Sequence, residues 1–490
     1  MIHHTMARTL QLVILCLLCP SVLAFPTGEA AQRAFASDTP RKDARVLILG
    51  GGMAGITAAR TLHDQGIDEF IIVEARHELG GRMMSQHLRR TWAAVHCRGR
   101  RELGARHAKT WRCCESGMDV WTEHTVWGHT TKLTESASVA MYDETGPVDF
   151  SDVFNQSVED FDRLIASAGE RVPKGLVDAS ARTGYSLTGA RPHTHHEMAS
   201  EYFQNNNSTF TGFSEDNLLS VDQRGFKTIL HSEAEAFLSP EQLRFNSTVS
   251  RIRYSANGVE VALDDGRELT ADYAICTFSL GVLQHSSVAF EPQLPMWKRE
   301  AIHSMTMGVY TKLFLQFPHK FWFDTEAALY ADRERGRYPI WQSLDHPKFL
   351  PGSGILFGTV TGAFSRRIES LPRRQVLDEI LSVLASMFPN ITIPEPLDFH
   401  FHPWSADPLF RGSYANWPPS FLPEHHANLR ADLDGKVWFA GEYTSRLYFG
   451  YLQGAYFEGR DIAVEVAECI RGGGCLGLEH VEQVKNANPY

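Results

Sequence analysis

The chain has 490 residues, of which 43% are hydrophobic and 21% charged, with a formal net charge of -11 at pH 7. That composition belongs to a soluble globular protein of about three domain-sized units, and it excludes a disordered, collagen-like or multi-span membrane chain. The acidic balance argues against nucleic acid as the main partner, since phosphate binding needs a basic footprint, and it suits attraction of a cationic small molecule.

In chain order, Arg8 precedes an apolar run over residues 10–18, followed by Pro20 and Ser21-Val22-Leu23-Ala24. This is the pattern of a secretory signal peptide over residues 1–24, cleaved near Ala24, and it predicts a secreted, extracellular protein. No later stretch reaches ~20 apolar residues, so no stable membrane insertion is expected. Sequons at Asn155, Asn206, Asn207, Asn246 and Asn390 fit a glycoprotein. Two of the 8 cysteines, Cys16 and Cys19, lie in the leader. Of the rest, Cys469 and Cys475 are close enough in sequence to pair in an oxidising compartment, and Cys276 reads as a buried thiol. No pair of Cys-x-x-Cys motifs occurs, so neither a structural zinc site nor any other metal is expected.

Residues 25–43 read as a disordered arm. A short apolar strand at 45–49 then meets Gly50-Gly51-Gly52-Met53-Ala54-Gly55, a helix at 56–65, and a second buried strand at 70–73 ending on Glu74. This is one βαβ unit. Residues 88–140 crowd Arg, Trp and Cys together without a period of 2 or 3.6. That stretch is either an unusual loop region or a mistranslated or mis-spliced piece of sequence. Residues 150–220 read as mostly helical. Segments 248–254, 259–263 and 273–277 read as a β-meander, 310–317 and 355–361 as strands, and 375–388 as an amphipathic helix. A buried strand at 436–440 and a helix at 454–470 close the fold.

Gly50-x-Gly52-x-x-Gly55 is weak alone, but here it follows a strand, opens a helix and is matched by Glu74 at the end of the next strand. Gly50 makes the tight turn, Gly52 lets backbone approach a pyrophosphate, and Gly55 lets helix and strand pack. Glu74 can accept hydrogen bonds from a ribose diol. Gly80-Gly81-Arg82 suits a second loop on the same dinucleotide, with Arg82 forking onto phosphate.

Five separated stretches make the chain resemble the FAD-dependent amine oxidase family, and within it the secreted polyamine oxidases. They are residues 46–82; Asp222-Gln223-Arg224-Gly225-Phe226; residues 277–283; residues 310–318; and residues 438–444 with 450–456. The resemblance implies an α/β fold. A Rossmann-like βαβ FAD-binding domain (44–128, 222–306 and 400–470) pairs with an α+β substrate domain (129–221 and 307–399), both discontinuous, before a C-terminal tail (471–490). It implies cofactor contacts from Glu74 at the adenosine ribose, Arg82 at the pyrophosphate region, Val249 near the adenine, Glu442 at the ribityl or pyrophosphate part, and Trp404 and Leu452. Lys312 matches a lysine that holds a water against the flavin and would assist reoxidation by O2. Tyr310 and Tyr451 match aromatic positions of the substrate tunnel, with Tyr451 also counted among the catalytic residues.

The implied reaction removes hydride from the C–H bond beside a neutral amine nitrogen. The imine hydrolyses to an aldehyde and a shorter amine, and O2 becomes hydrogen peroxide. The partners expected are therefore an amine and O2; the oligomeric state stays open. Where some relatives carry a cysteine bonded to FAD, the stretch here reads Phe410-Arg411-Gly412-Ser413-Tyr414, so noncovalent FAD is expected. One departure concerns the substrate: Glu102-Leu103-Gly104-Ala105 continues into Arg106-His107-Ala108-Lys109. This puts Lys109 where a substrate-facing acidic, amide or histidine group is expected, with His107 as a substitute base. The alternatives are an L-amino-acid or monoamine oxidase, or a secreted flavoprotein without turnover.

Overall fold

The structure is a computed structural model that describes residues 42–88, 111–114, 130–132, 139–166, 218–220, 225–418 and 422–482. The expected leader, nearly all of the arm, His107, Lys109 and the sequons Asn206 and Asn207 lie outside the described residues.

A five-stranded parallel sheet has the order Val437–Phe439, Tyr273–Cys276, Val46–Leu49, Phe70–Val73, Leu243–Arg244. Its three inner strands read YAIC, VLIL and FIIV and, like the VWF edge strand, are buried throughout. Continuous apolar runs of this kind are what a parallel sheet covered on both faces demands. The Met53–Asp64 helix packs closely on the Leu452–Gly472 helix. A Cβ on Gly459 would meet the Ala54 carbonyl oxygen at 2.3 Å, so the contact requires glycine.

The meander differs from expectation. Its strands are Val249–Ser255, Gly258–Leu263 and Glu268–Ala271, extended in parallel by Ala289–Glu291. Residues 273–277 do not close it, because Tyr273–Cys276 has been drawn into the parallel sheet. The reason is burial: YAIC is apolar at every position, whereas ELTA runs from exposed to buried as an edge strand does.

A seven-stranded sheet runs Asp398–His400, Tyr310–Gln316, Ile355–Thr361, Ile340–Ser343, Ala327–Ala331, Val139–Asp143, Gly146–Pro147. It is antiparallel except where Ala327–Ala331 meets Val139–Asp143. Val376, Ile380, Val383 and Leu384 of the Arg373–Met387 helix bury against Leu313, Leu315, Trp341 and Leu356. The Gly362–Ser370 helix follows directly from the Ile355–Thr361 strand. In the Arg- and Trp-rich stretch, Trp111–Cys114 pairs with Ser85–Leu88, and Thr130–Lys132 with Leu218–Ser220.

Cys469 and Cys475 form a disulfide, and Cys276 is free and buried. Among the described residues no helix is long and apolar enough to cross a membrane, and no group of His, Cys, Asp and Glu could hold a metal ion.

Candidate active site

A single cavity of about 470 Å³ is lined by Gly50, Gly52, Glu74 and Val249 and also by Lys312, Trp404, Glu442 and Tyr451. Thus nearly every residue singled out in the sequence borders one space. Gly55 does not border it. A Cβ there would sit 1.9 Å from the Gly50 carbonyl oxygen, so Gly55 serves to seat the helix on the turn. Lys109 lies outside the described residues.

The Gly-rich turn is built for backbone approach. Gly50 has φ 121°, in the region that favours glycine, and a Cβ there would strike Thr277 Oγ1 at 2.3 Å. A Cβ on Gly81 would come within 3.2 Å of Gly52 Cα, so the two glycine loops pack backbone to backbone. The Met53–Asp64 helix starts from Gly52 without a side-chain cap and without an acidic residue in its first turn. Its N-terminal N–H groups and partial positive charge are therefore available to a phosphate.

Glu74 is buried, and both its oxygens are in use: Oε2 accepts from the Gly51 N–H at 2.7 Å and Oε1 from the Arg76 N–H at 2.8 Å. A carboxylate has further lone pairs, so this brace leaves room for a ribose diol. Arg82 Nη1 donates to Glu442 Oε1 at 2.6 Å and to the Ser413 carbonyl at 3.0 Å. The guanidinium that the sequence reading directs at phosphate is thus ion-paired within the chain. Glu442 Oε1 also accepts from the Ala415 N–H, while its buried Oε2 has no partner among the described residues.

Tyr310 and Lys312 occupy alternate positions of the Tyr310–Gln316 strand and both face the cavity. Lys312 is 7% exposed, with Nζ 5.2 Å from the centre of the Phe357 ring. Tyr414 borders the cavity as well, its ring 6.1 Å from that of Tyr310. Burial first, then the neighbouring Tyr310 and Tyr451 phenols, push the Tyr414 hydroxyl well above its ordinary pKa, so it stays a neutral donor. Sequence reasoning missed Tyr414. The signal was present in the Phe410-Arg411-Gly412-Ser413-Tyr414 stretch, which was read only for the missing cysteine. The Ser413 hydroxyl is tied to the Tyr310 backbone, accepting from its N–H at 3.0 Å and donating to its carbonyl at 2.9 Å.

Trp404 is held in a compact loop by the Gly412 N–H on its carbonyl, with the His402 ring 4.2 Å from its own. His402 is hydrogen-bonded to Asp407 at 2.9 Å. Burial alone would raise the Asp407 carboxyl, but the His402 bond and the Leu409 N–H outweigh it and hold the group below the usual range. Arg411 lines the same cavity, and its buried Nε has no hydrogen-bond partner among the described residues.

Comparison with known proteins identifies this arrangement. The family described as flavin containing amine oxidoreductase matches residues 53–93 and 149–467. The chain belongs to that family. Polyamine oxidase 6 of Oryza sativa subsp. japonica is 34% identical over 470 residues, covering 87% of this chain and 91% of its own length. Lysine-specific histone demethylase 1 homolog 2 of the same species is 27% identical, covering 89% of this chain and 57% of its own length. The solved cyclohexylamine oxidase from Brevibacterium oxydans IH-35A shares the fold, with a TM-score of 0.60 at 19% identity, over 88% of this chain and all of that one. The family match breaks over residues 94–148, which include Lys109.

The protein is therefore an FAD-dependent amine oxidase, and the cavity fits that cofactor. An uncapped helix N-terminus meets the two glycine loops, as a pyrophosphate requires. The orphaned Glu442 Oε2 requires a donor, which the hydroxyls of a ribityl chain supply.

Proposed function

We propose that this amine oxidase acts on polyamines of the spermine and spermidine type and is secreted with noncovalently held FAD. The observation that carries the substrate reading is the convergence of Tyr310, Tyr414 and Tyr451 with Trp404 and Lys312 on the cavity that also holds the dinucleotide loops. FAD supplies the redox chemistry, taking hydride from the carbon beside the amine and returning electrons to O2. The chain's own residues do the rest. Gly50 and Gly52 give phosphates access to backbone; Glu74, Val249 and Leu452 line the cofactor's side; and Arg82 fixes the Glu442 carboxylate that receives ribityl hydroxyls. The tyrosines and Trp404 form an aromatic slot that attracts an ammonium by its ring faces and excludes water from the reacting nitrogen. Lys312 holds positive charge, and a water, where charge develops on reduced oxygen.

The similarity to a rice polyamine oxidase over most of both chains supports the substrate class. For noncovalent FAD, the supports are the engagement of Ser413 with Tyr310 and the character of Cys276. That thiol does not border the cavity, and burial pushes it up to about 12. The leader pattern and the Cys469–Cys475 bond support secretion.

Lys109 opposes the substrate reading if it faces the slot. An ammonium at ~4 Å from a substrate charge costs about 4 kcal/mol at an effective dielectric near 20. A peroxide-release assay over spermine, spermidine, N-acetylated polyamines, monoamines, L-amino acids and a methyl-lysine peptide decides the matter. Turnover led by polyamines is the expected result. Turnover led by L-amino acids replaces this reading, with Arg411 as the carboxylate grip, and no turnover of any amine leaves a flavoprotein without catalysis. Sequencing the transcript across residues 88–140 shows whether Lys109 exists in the native enzyme. Where it does and polyamines react poorly, Lys109→Glu should raise kcat/KM for spermidine.

A further inference from the structure

Thr311 lies between Tyr310 and Lys312, so its side chain leaves the opposite face of the strand, where it is fully buried. Its hydroxyl donates to Glu369 Oε1 at 2.6 Å and lies 2.7 Å from the buried Ser365 hydroxyl. Thr311 has one proton to give and a carboxylate only accepts, so Ser365 is the donor in the second bond. The other oxygen of Glu369, Oε2, accepts from the Ser405 N–H at 2.8 Å. Ser405 directly follows Trp404, which forms a separate part of the cavity wall. One carboxylate thus joins the strand that carries Tyr310 and Lys312 to the loop that carries Trp404.

Helix stability does not explain this placement. Glu369 sits in the last turn of the Gly362–Ser370 helix, where negative charge meets the negative end of the helix dipole. Among the described residues it has no cationic partner, and its bonds are to the neutral Thr311 and Ser405 donors. A carboxylate kept at a cost to its own helix, with each oxygen given to a different wall of one cavity, is arranged as a clamp.

We propose that Glu369 is a positioning residue: it sets the spacing of the Lys312 and Trp404 walls and thereby the efficiency of the oxidase half-reactions. The inference rests on the reading of Lys312 and Trp404 as cofactor-facing residues. Misplacing a reacting group by ~1 Å can cost on the order of a hundredfold in rate, so a clamp behind the wall has leverage on turnover.

The test compares wild type with Glu369→Leu and Glu369→Gln as holoenzymes. It reads the visible circular dichroism of bound FAD, the rate of reoxidation by O2, FAD retention on dialysis, and Tm. Leucine keeps the size and removes both acceptors. Glutamine keeps an oxygen for Ser405 and turns its amide toward Thr311, which then donates to Ser365. The leucine variant should retain FAD, change the flavin dichroism and lose on the order of tenfold in reoxidation rate, and glutamine should restore most of it. A leucine variant with wild-type dichroism and reoxidation and only a lower Tm overturns the proposal, as does equal loss in both variants. Should the leucine variant not fold, Thr311→Val, which opens one arm, is read the same way. Lys312→Met run alongside separates the two claims. Wild-type reoxidation there, with altered dichroism in Glu369→Leu, sinks the role of Lys312 and leaves the clamp standing.

Discussion

Glu74 shows how one side chain carries both a structural and a ligand duty. Its two oxygens hold the N–H groups of Gly51 and Arg76, so it braces the Gly-rich turn before any ribose is present. Removing it leaves two backbone donors without their acceptor, at about 1–3 kcal/mol for each that stays buried. Glu74→Ala should therefore lower the Tm of the FAD-free protein as well as FAD retention. A loss of FAD with an unchanged apoprotein Tm would show that the brace contributes nothing. Lys312 has the opposite profile: it is a cation inside an otherwise uncharged strand, beside the Phe357 ring. Lys312→Met keeps the stem and removes the charge. Stopped-flow mixing of the reduced enzyme with O2 should show slower reoxidation, with FAD retention unchanged. Reoxidation at the wild-type rate rejects the role.

The elements that hold these residues were legible in the sequence wherever burial was uniform or the period was clean. VLIL and FIIV could only be inner parallel strands, and the Arg373–Met387 and Leu452–Gly472 helices lie within a few residues of expectation. Periodicity reports how much of a segment is buried, not which segment covers it. That is why YAIC was put in the meander, and why pairs far apart in sequence stayed invisible: Arg82 with Glu442, Ser413 with Tyr310, Glu369 with Ser405. Gly459 is a further case, a mid-helix glycine that intrinsic propensity counts as a defect. In the fold it lets the Leu452–Gly472 helix ride on the Ala54 backbone at the start of the Met53–Asp64 helix. Gly459→Ala should gain helix propensity yet destabilise the protein by about 1–3 kcal/mol through overpacking. Because the displaced helix start borders the cavity, FAD retention should fall with it. Thermal melts with and without added FAD check both effects, and a rise in Tm would mean that the helices part without penalty.

The charge of the molecule and the charge of its cavity are different quantities, and the difference can be measured. The chain carries a formal net charge of -11. Among the described residues, the charged ones lining the cavity are balanced, with Glu74, Asp264 and Glu442 against Arg82, Lys312 and Arg411. The excess negative charge therefore lies outside the cavity, where it acts on an approaching ligand rather than on a bound one. A long-range field of this kind raises the encounter rate of a cation and is screened beyond a Debye length of ~10 Å at 0.1 M salt. Within the aromatic slot, attraction to an ammonium is short-ranged and much less exposed to salt. If polyamines are the substrates, raising ionic strength from ~0.02 to ~0.2 M should lower kcat/KM for spermine several-fold through weakened steering. The saturated rate kcat should stay constant, because contacts inside the aromatic slot are short-ranged and little screened by salt. A singly charged amine should show a much shallower slope, since the field acts in proportion to the substrate's charge. Steady-state kinetics at four or five salt concentrations with both substrates suffice. Equal slopes for spermine and the monoamine would reject steering by net charge, and a fall in kcat rather than kcat/KM would place the salt-sensitive step after binding.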